Sequence, residues 1–557
     1  MADNMRVHVF LLILASAVVV LIGQVHRELL PPDDLREVEI AREMYVSGDY
    51  VVPYLAGLPF VEKPSGFPAV VATAFRLAGG PSAAAARCIA AIFALASLLA
   101  VFLLGRRIMG VQCGAYAAAF LAISQRFCRT AHEVLLDNAL TAALAFAVLF
   151  TWIALDSDSA HKKRIAYAAA CLSLGISFLF KGFVGIALFG SGFLLYLVMS
   201  RRTGELRHIL RPLPVTAFLI PFLAWTVPFI LNATPDLIWE FFITNHLSRF
   251  LSGYMSHHRP VYFYLLDIWT EFAPGSILLP PAVWWAWKSK REHENQAGIF
   301  LLSMVIGPLL FLSASTAKDS VYLLPAYPAL ATLVAWCAVK SWSLPHNSVN
   351  VFSMASAGIA ILAAGIAMGI DSRINDSAIP VSLAFMVFAP AAAACLVFVR
   401  KHDFSSAGVC MVILFALAWG LWFSRPMSLM ETEGKSIRHP IDKALGLAGN
   451  RDIVLYLADD GIRGATGFYR NRTAQEIRSP EELVARLGED PERYVVLTSR
   501  HGRERESLPP ELLMAGIDAG VDLRISAHID YGSKHLLLIE AIPEGIGEKV
   551  VYRQKSL

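Results

Sequence analysis

The chain has 557 residues, of which 56% are hydrophobic and only 17% are charged. Soluble proteins average roughly 45–50% apolar and about 25% charged residues, so this chain cannot cover itself with polar surface. That composition excludes a soluble enzyme, a disordered regulator and a fibrous protein. The net charge of +3 is too small to indicate a nucleic-acid partner. Seven cysteines lie in or beside apolar segments without the close pairing of a metal site. We expect a polytopic membrane protein.

Apolar segments recur along the first three quarters of the chain. A transmembrane helix needs about 20 apolar residues, and about thirteen segments qualify or come close. In chain order they are 9–25, 83–104, 111–125, 135–155, 166–181, 183–200, 213–232, 272–288, 298–313, 321–339, 351–370, 379–399 and 407–424. The first has no small-residue cleavage site after it, so we predict an uncleaved span and not a signal peptide.

Basic residues mark one side of the membrane. They concentrate in alternate loops, for example at Arg106–Arg107, Lys162–Arg164 and Arg400–Lys401, and the main exception is Arg126 with Arg129. Because cytoplasmic loops carry the excess of Lys and Arg, the pattern predicts a cytoplasmic N-terminus and an extracytoplasmic C-terminus.

Two domains are predicted, a membrane domain at 1–425 and a soluble domain at 430–557. The membrane domain includes a long external loop at 26–82. The C-terminal part is polar, with strand-like runs at Ile453–Leu457, Tyr494–Thr498 and His535–Ile539 and a helical segment at Pro480–Leu487. Strands that alternate with helices predict a small α/β domain, which the topology puts on the outer face.

The start of the external loop has two interpretations. Asp33 or Asp34 could cap a surface helix, since Asp carboxylates accept hydrogen bonds from free backbone N–H groups there. Arg36, Glu39 and Glu43 would then form its solvated face. In the second interpretation the acids and Arg36 form a site, because a carboxylate can take a proton from a hydroxyl and an Arg can clamp a phosphate. These residues alone leave both open.

Several ordered motifs resemble those of one known family. The external loop contains Asp33-x-x-Arg36, then Ser47-Gly48-Asp49 and Glu62-Lys63-Pro64; the later motifs are Asp137 at the start of the fourth span, the pair Lys181-Gly182, His246-x-x-Arg249-Phe250, and Lys318-x-x-x-Tyr322. This set resembles the ArnT-like family, the aminoarabinose transferases that modify lipid A, which are related to protein O-mannosyltransferases. The likeness is good over 1–330, loose over the later spans and slight in the tail.

The resemblance implies a GT-C fold and a glycosyltransferase of the cell (inner) membrane. Such an enzyme would move a sugar from a polyprenyl-phosphate donor to a hydroxyl or phosphate of a lipid A-like lipid, a glycan or a protein at the outer face, with inversion. By resemblance, the catalytic residues are Asp33 and Asp137, the donor-phosphate ligands are Arg36, Lys63, Arg249 and Lys318, and the substrate cavity includes Asp34, Glu62, His246 and Tyr322.

The chain departs from the family pattern near these motifs. Asp34 stands where Glu is commonest, Glu37 where an aromatic residue is usual, and Asp319 and Ser320 are also unexpected. These changes put the substrate in doubt more than the chemistry. No cofactor is expected to be required; a divalent cation near Glu62 and His246 is the alternative, although no set of metal ligands is evident.

Other interpretations stay open at this point. The chain could be a transporter or flippase of a lipid-linked sugar, although no paired interrupted helices are visible, or a membrane-anchored sensor. A lysine at the end of a span can also extend its amine to water. Lys318 could do this, and snorkelling is the favoured interpretation of Lys181.

Overall fold

A computed structural model describes residues 2–25, 27–248, 258–288, 292–342, 403–423, 436–501, 507–531 and 534–542. The two predicted spans at 351–370 and 379–399, the predicted phosphate ligand Arg249 and the boundary between the predicted domains lie outside these residues.

The membrane domain is helical. Its helices are α1 (Ala2–Leu21), α2 (Asp33–Ser47), α3 (Gly66–Ala78), α4 (Ala83–Met109), α5 (Val111–Ile123), α6 (Gln125–Thr130), α7 (Leu136–Leu155), α8 (Ala160–Lys181), α9 (Phe183–Met199), α10 (Leu206–Ile209), α11 (Pro212–Asn232), α12 (Pro235–Trp239), α13 (Phe263–Glu271), α14 (Leu279–Lys288), α15 (Glu292–Ala314), α16 (Tyr327–Trp342) and α17 (Phe404–Phe423). A π-helix occupies Glu240–Ser248, and 3₁₀ turns occupy Thr203–Glu205, Gly275–Leu278 and Ser320–Ala326. A two-stranded hairpin pairs β1 (Tyr54–Leu55) with β2 (Leu58–Pro59).

Seven helices in the described part of the chain are long and apolar enough to cross a membrane: Asn4–Leu21, Ala83–Met109, Leu136–Leu155, Ala160–Lys181, Pro212–Asn232, Gln296–Ala314 and Ser320–Ser341. Each overlaps a predicted span. Three further predicted spans coincide with shorter apolar helices, at Val111–Ile123, Phe183–Met199 and Phe404–Gly420. The predicted count of about thirteen stays a prediction.

The predicted span 272–288 is not a continuous helix. The chain forms α13, then the 3₁₀ turn Gly275–Leu278, and only then the ten-residue helix α14. Pro274 accounts for the break, because a proline disfavours helical backbone in the residue before it and has no N–H to donate.

The C-terminal part contains a four-stranded sheet. Its elements are α18 (Arg438–Ala448), β3 (Asp452–Tyr456), α19 (Asp460–Arg470), α20 (Pro480–Glu489), β4 (Tyr494–His501), α21 (Pro510–Ala519), β5 (Leu523–Tyr531) and β6 (Lys534–Ala541). The strand order is β3-β4-β6-β5, with β3 and β4 parallel and the other pairs antiparallel. The three predicted strands and the predicted helix lie within or over β3, β4, β6 and α20. The sequence pattern missed β5, whose residues alternate between buried and more exposed positions on one edge of the sheet.

The sheet domain packs on the external loop. Residues of α2, such as Leu35 and Val38, share one buried apolar cluster with Ile462 and Ala465 of α19. Helix α2 is therefore enclosed between the membrane helices and the C-terminal domain, and this enclosure determines the surroundings of the site.

Candidate active site

Helix α2 carries most of its acidic and basic residues in the protein interior. Glu39 is 0% exposed, Arg42 is 1% exposed and Glu43 is 8% exposed. The hypothesis that Arg36, Glu39 and Glu43 form a solvated face is therefore wrong. Arg42 donates from Nε and Nη2 to the two carboxylate oxygens of Glu39, at 2.7 Å each, and this forked pair compensates two charges that would be costly to bury alone.

The predicted base and one predicted phosphate ligand are in direct contact. Arg36 Nη2 donates to Asp33 Oδ1 at 2.7 Å and lies 3.4 Å from Glu37 Oε1, while Arg36 Nη1 lies 3.4 Å from Asp460 Oδ2 in α19. The Asp33 side chain is 49% exposed and that of Arg36 is 13% exposed. Asp33 is therefore accessible to a substrate while one of its oxygens is held by the guanidinium.

A cleft opens beside this pair. It is lined by Glu37, Ile40, Pro53, Phe60, Lys63, Pro64, Pro68 and Leu136. Arg36 borders the cleft through two lining residues, since it contacts Glu37 and its guanidinium carbon lies 5.9 Å from the centre of the Phe60 ring. The cleft thus combines apolar walls with a small set of charges, which is typical of a ligand site.

Lys63 supplies the cation inside the cleft. Its Nζ lies 3.5 Å from Glu62 Oε2, and burial lowers the pKa of Lys63 below its usual value, an effect that the neighbouring Arg36 increases and Glu62 opposes. Glu37 faces Lys63, and burial raises the pKa of the Glu37 carboxyl. Glu37 was not among the predicted site residues. Its replacement of an aromatic residue, beside a conspicuous Asp-x-x-Arg motif, was the signal that could have identified it.

A second charged group lies at the ends of α7 and α8. Lys181 Nζ donates to Asp137 Oδ1 at 2.5 Å, and both side chains are buried, at 10% and 7% exposure. Lys181 does not extend to water, so the favoured interpretation of that residue was wrong. Its Nζ also lies 4.8 Å from the centre of the Tyr322 ring, and its charge lowers the pKa of Lys63. The predicted residues Asp137 and Tyr322 therefore lie near the cleft. Both contact Lys181, which was not among the predicted site residues.

His246 lies next to the Lys181-Gly182 pair. Its Nδ1 hydrogen-bonds to the Phe241 carbonyl oxygen at 2.6 Å, and its Nε2 occupies the space that a side chain at residue 182 would need. Gly182 also has φ +62, a left-handed conformation that favours glycine. The glycine thus allows the π-helix Glu240–Ser248 to approach the end of α8 closely.

Asp34 was predicted to line the substrate cavity, but it is buried and contacts protein groups instead. It is 2% exposed, accepts hydrogen bonds from Leu30 N–H at 3.0 Å and Val134 N–H at 2.7 Å, and lies 3.3 Å from Arg87 Nη2. Both carboxylate oxygens are engaged by protein groups. Asp34 therefore ties the start of α2 to α4 and to the segment before α7.

Lys318 is 2% exposed, and its amine donates to the Ser315 carbonyl oxygen within its own loop. The described contacts of Lys318 do not include the cleft, so they leave its predicted role as a phosphate ligand without support.

Comparisons with known proteins identify relatives of the chain. Residues 62–231 match the family described as dolichyl-phosphate-mannose-protein mannosyltransferases. The undecaprenyl phosphate-alpha-4-amino-4-deoxy-L-arabinose arabinosyl transferase of Erwinia tasmaniensis is 29% identical over 411 residues, which cover 70% of this chain and 72% of the relative. The undecaprenyl phosphate-alpha-4-amino-4-deoxy-L-arabinose arabinosyl transferase 2 of Sodalis glossinidius is 32% identical over 313 residues, which cover 56% of each chain.

Solved structures show the same fold. ArnT from Cupriavidus metallidurans, crystallised with undecaprenyl phosphate, superposes with a TM-score of 0.72 at 21% identity over 95% of this chain and 97% of that one. The chain has the fold of this ArnT structure and is a glycosyltransferase similar to the arabinosyl transferases. The oligosaccharyltransferase of Archaeoglobus fulgidus is more distant, with a TM-score of 0.52 and 10% identity over 91% of this chain and 72% of that one. The expected polytopic helical membrane protein is confirmed, and so is the expected enzyme class.

This glycosyltransferase shows no metal cluster in its described residues. Nowhere among them do three His, Cys, Asp or Glu side chains come close enough together to hold a metal ion.

Proposed function

We propose that the chain transfers a sugar from a polyprenyl-phosphate donor to a lipid acceptor, with the reacting groups in the cleft between α2 and α7. The observation that carries the proposal is the cleft itself, which Lys63 lines and which the Asp33–Arg36 ion pair adjoins through Glu37 and Phe60. The relatives are named for an undecaprenyl-phosphate sugar, and a structural neighbour was crystallised with undecaprenyl phosphate. Both support this donor class.

The chemistry assigns different tasks to the two sides of the ion pair. The accessible Asp33 carboxylate takes the proton from an acceptor hydroxyl as its oxygen attacks the anomeric carbon. The bond between that carbon and the phosphate oxygen breaks, and its electron pair leaves with the polyprenyl phosphate. One displacement of this kind inverts the anomeric centre. An acceptor phosphate, already ionised, would attack without needing the base.

The leaving phosphate gains negative charge, which must be met by cations already in position. Lys63 is the principal candidate because it lines the cleft and because the Glu62 carboxylate, 3.5 Å from its amine, favours the charged form. Arg36 contributes from the rim and orients Asp33. Arg249 stays a predicted ligand, and the contacts of Lys318 favour a structural role.

The Asp137–Lys181 pair is the second part of the proposed site. A buried, paired carboxylate is poorly placed to accept a substrate proton, so we assign Asp137 an orienting role and not that of the base. Lys181 adds positive charge near Lys63, and its ammonium over the Tyr322 ring holds that aromatic side chain beside the donor. Glu62 and His246 remain proposed contributors to the cavity, the second with a fixed ring orientation.

The proposal also covers the class of acceptor and the side of the membrane on which the reaction takes place. A lipid A-like lipid is the favoured acceptor, because the ArnT-like family that the sequence motifs resemble modifies lipid A; a glycan or a protein is the alternative. We place the cleft and the C-terminal domain on the outer face of the inner membrane, with the N-terminus in the cytoplasm. Contact between α2 and α19 supports a common side for these two parts.

No cofactor is needed in the proposed reaction, since side-chain cations meet the phosphate charge. A divalent cation near Glu62 and His246 is the alternative. Transfer assays with and without EDTA separate them: unchanged turnover supports the first, and a loss that Mg²⁺, Mn²⁺ or Zn²⁺ restores supports the second.

The proposal is tested by incubating the purified protein in liposomes with radiolabelled undecaprenyl-phosphate sugars and with separate lipid, glycan and protein fractions. Label that moves covalently to the lipid fraction supports the proposal. Label that stays on the donor but changes leaflet would support the flippase alternative instead and contradict transfer.

A further inference from the structure

The helix α19 of the C-terminal domain lies against the helix that carries the proposed base. Three glycines, Gly461, Gly464 and Gly467, face α2 and the Pro31-Pro32 segment before it at a spacing of three residues. A Cβ atom at Gly461 would lie 3.0 Å from Pro31 Cβ, one at Gly464 would overlap the Leu35 carbonyl oxygen, and one at Gly467 would overlap the Glu39 carboxylate. The two helices therefore approach at a distance that only glycine permits.

Polar contacts reinforce this interface at both ends of α2. Near its start, Asp460 Oδ2 lies 3.4 Å from Arg36 Nη1. Near its end, Arg42 Nη2 donates to Thr473 Oγ1 at 3.0 Å. Beyond α2, Glu476 N–H donates to the Ala56 carbonyl oxygen at 3.0 Å. The C-terminal domain thus holds the external loop at three separate points.

Asp460 is itself held in place by its own domain. Arg463 Nη1 lies 3.4 Å from Asp460 Oδ1, and Arg463 Nε donates to the buried Glu476 at 3.1 Å. Asp459 caps α19 by accepting from Ile462 N–H at 3.1 Å and pairs with Lys534 at 2.6 Å. An anchored carboxylate of this kind can fix the direction of the guanidinium that it contacts.

We propose that the C-terminal domain is a positioning element of the active site. In this proposal, Asp460 and Asp33 hold the Arg36 guanidinium between them, while the glycine face of α19 sets the position of α2. The inference rests on the proposed function, because it gives a role in turnover to a domain whose described residues do not line the cleft. Asp460 is a positioning residue: it acts through Arg36 and touches no reacting atom.

The first test compares Asp460→Asn with Asp452→Asn. The two acids are matched, at 30% and 32% side-chain exposure, but Asp452 pairs with Arg493 inside the domain. From the usual worth of partly exposed ion pairs we expect Asp460→Asn to lower kcat about two- to fivefold. Binding of undecaprenyl phosphate should not weaken, because a negative charge near the phosphate has been removed. Asp452→Asn should behave as wild type.

The effect must pass through Arg36. In an Arg36→Ala background, Asp460→Asn should cause no further loss of kcat, as a double-mutant cycle requires for a coupled pair. An undiminished loss in that background would overturn the positioning role, as would equal kcat values for Asp460→Asn and Asp452→Asn.

A second test needs no turnover. Gly464→Ala places a methyl group against the Leu35 carbonyl oxygen, whereas Gly446→Ala, in α18, meets open space. We expect amide hydrogen exchange over Asp33–Ser47 to be at least tenfold faster in Gly464→Ala than in Gly446→Ala. Equal exchange would overturn the inference. An absence of transfer by the wild type, with fast exchange only in Gly464→Ala, would instead refute the proposed function and leave the positioning of α2 supported.

Discussion

Adjacent aspartates at the start of α2 have different surroundings and should have different effects when replaced. Asp33 is half exposed and pairs with Arg36, whereas Asp34 is buried and holds Leu30, Arg87 and Val134. Sequence alone treated both as site residues, because nothing in the run Asp33-Asp34 shows which carboxylate faces the protein interior. The structure separates a candidate base from a structural anchor.

Asp34→Asn should therefore destabilise the fold without specifically impairing the reaction. The amide keeps one acceptor but loses the charge opposite Arg87, and replacing one partner of a buried pair costs about 3–5 kcal/mol. We expect a lower midpoint of thermal unfolding in detergent, with kcat per folded molecule close to wild type. A normal melting curve together with lost turnover would contradict the assignment.

Deprotonation of the Lys63 amine should set the upper pH limit of the reaction. Burial lowers the pKa of its amine, and the amine loses its positive charge as the pH rises through that value. The kcat/KM for the donor should then fall at a pH below the usual lysine value of about 10.4. In Lys63→Arg the side chain stays charged, so the alkaline fall should move upward in pH. An alkaline limb at the same pH in both proteins would exclude Lys63 as its source.

The ion pair between Lys181 and Asp137 supports a prediction about stability. Lys181→Met leaves a buried carboxylate uncompensated, which costs about 3–5 kcal/mol, whereas Lys181→Met with Asp137→Asn removes both charges. We expect the single variant to unfold at lower temperature than the double variant. Equal stabilities would show that the two charges are not coupled.

At the scale of elements, the sequence predicted helices better than their environments. Hydropathy located ten of the apolar helices because lipid imposes length and composition on each span separately. A helix that begins near Asp33-Asp34 was also one of the two interpretations of the external loop. Its burial was not predicted, because it depends on α19, and the residues of the pair Arg36–Asp460 are 424 positions apart.

The same reason explains the errors around the cleft. Lys181 and Asp137 are 44 residues apart on two helices, so neither position alone shows that its charge is paired. Glu37 broke the family pattern, but only the folded chain places its carboxylate opposite Lys63. Strand β5 was missed because its mixture of polar and apolar residues reflects a sheet edge that is defined by its neighbour β6.

At the scale of the whole molecule, the site is assembled from distant parts of the chain. The external loop supplies Asp33, Arg36 and Lys63, the ends of α7 and α8 supply a buried ion pair, and the C-terminal domain encloses α2 from the other side. Helix α2 is thus packed between the membrane helices and the C-terminal domain.

The central claim is that Asp33 takes the acceptor proton in a sugar transfer from polyprenyl phosphate. The most direct measurement is transfer by wild type and Asp33→Asn in liposomes, with undecaprenyl-phosphate binding measured on the same preparations. Loss of the base should lower kcat by about 10²–10⁴-fold, while donor binding and thermal stability stay near wild type. Turnover of Asp33→Asn within a few-fold of wild type would contradict the account.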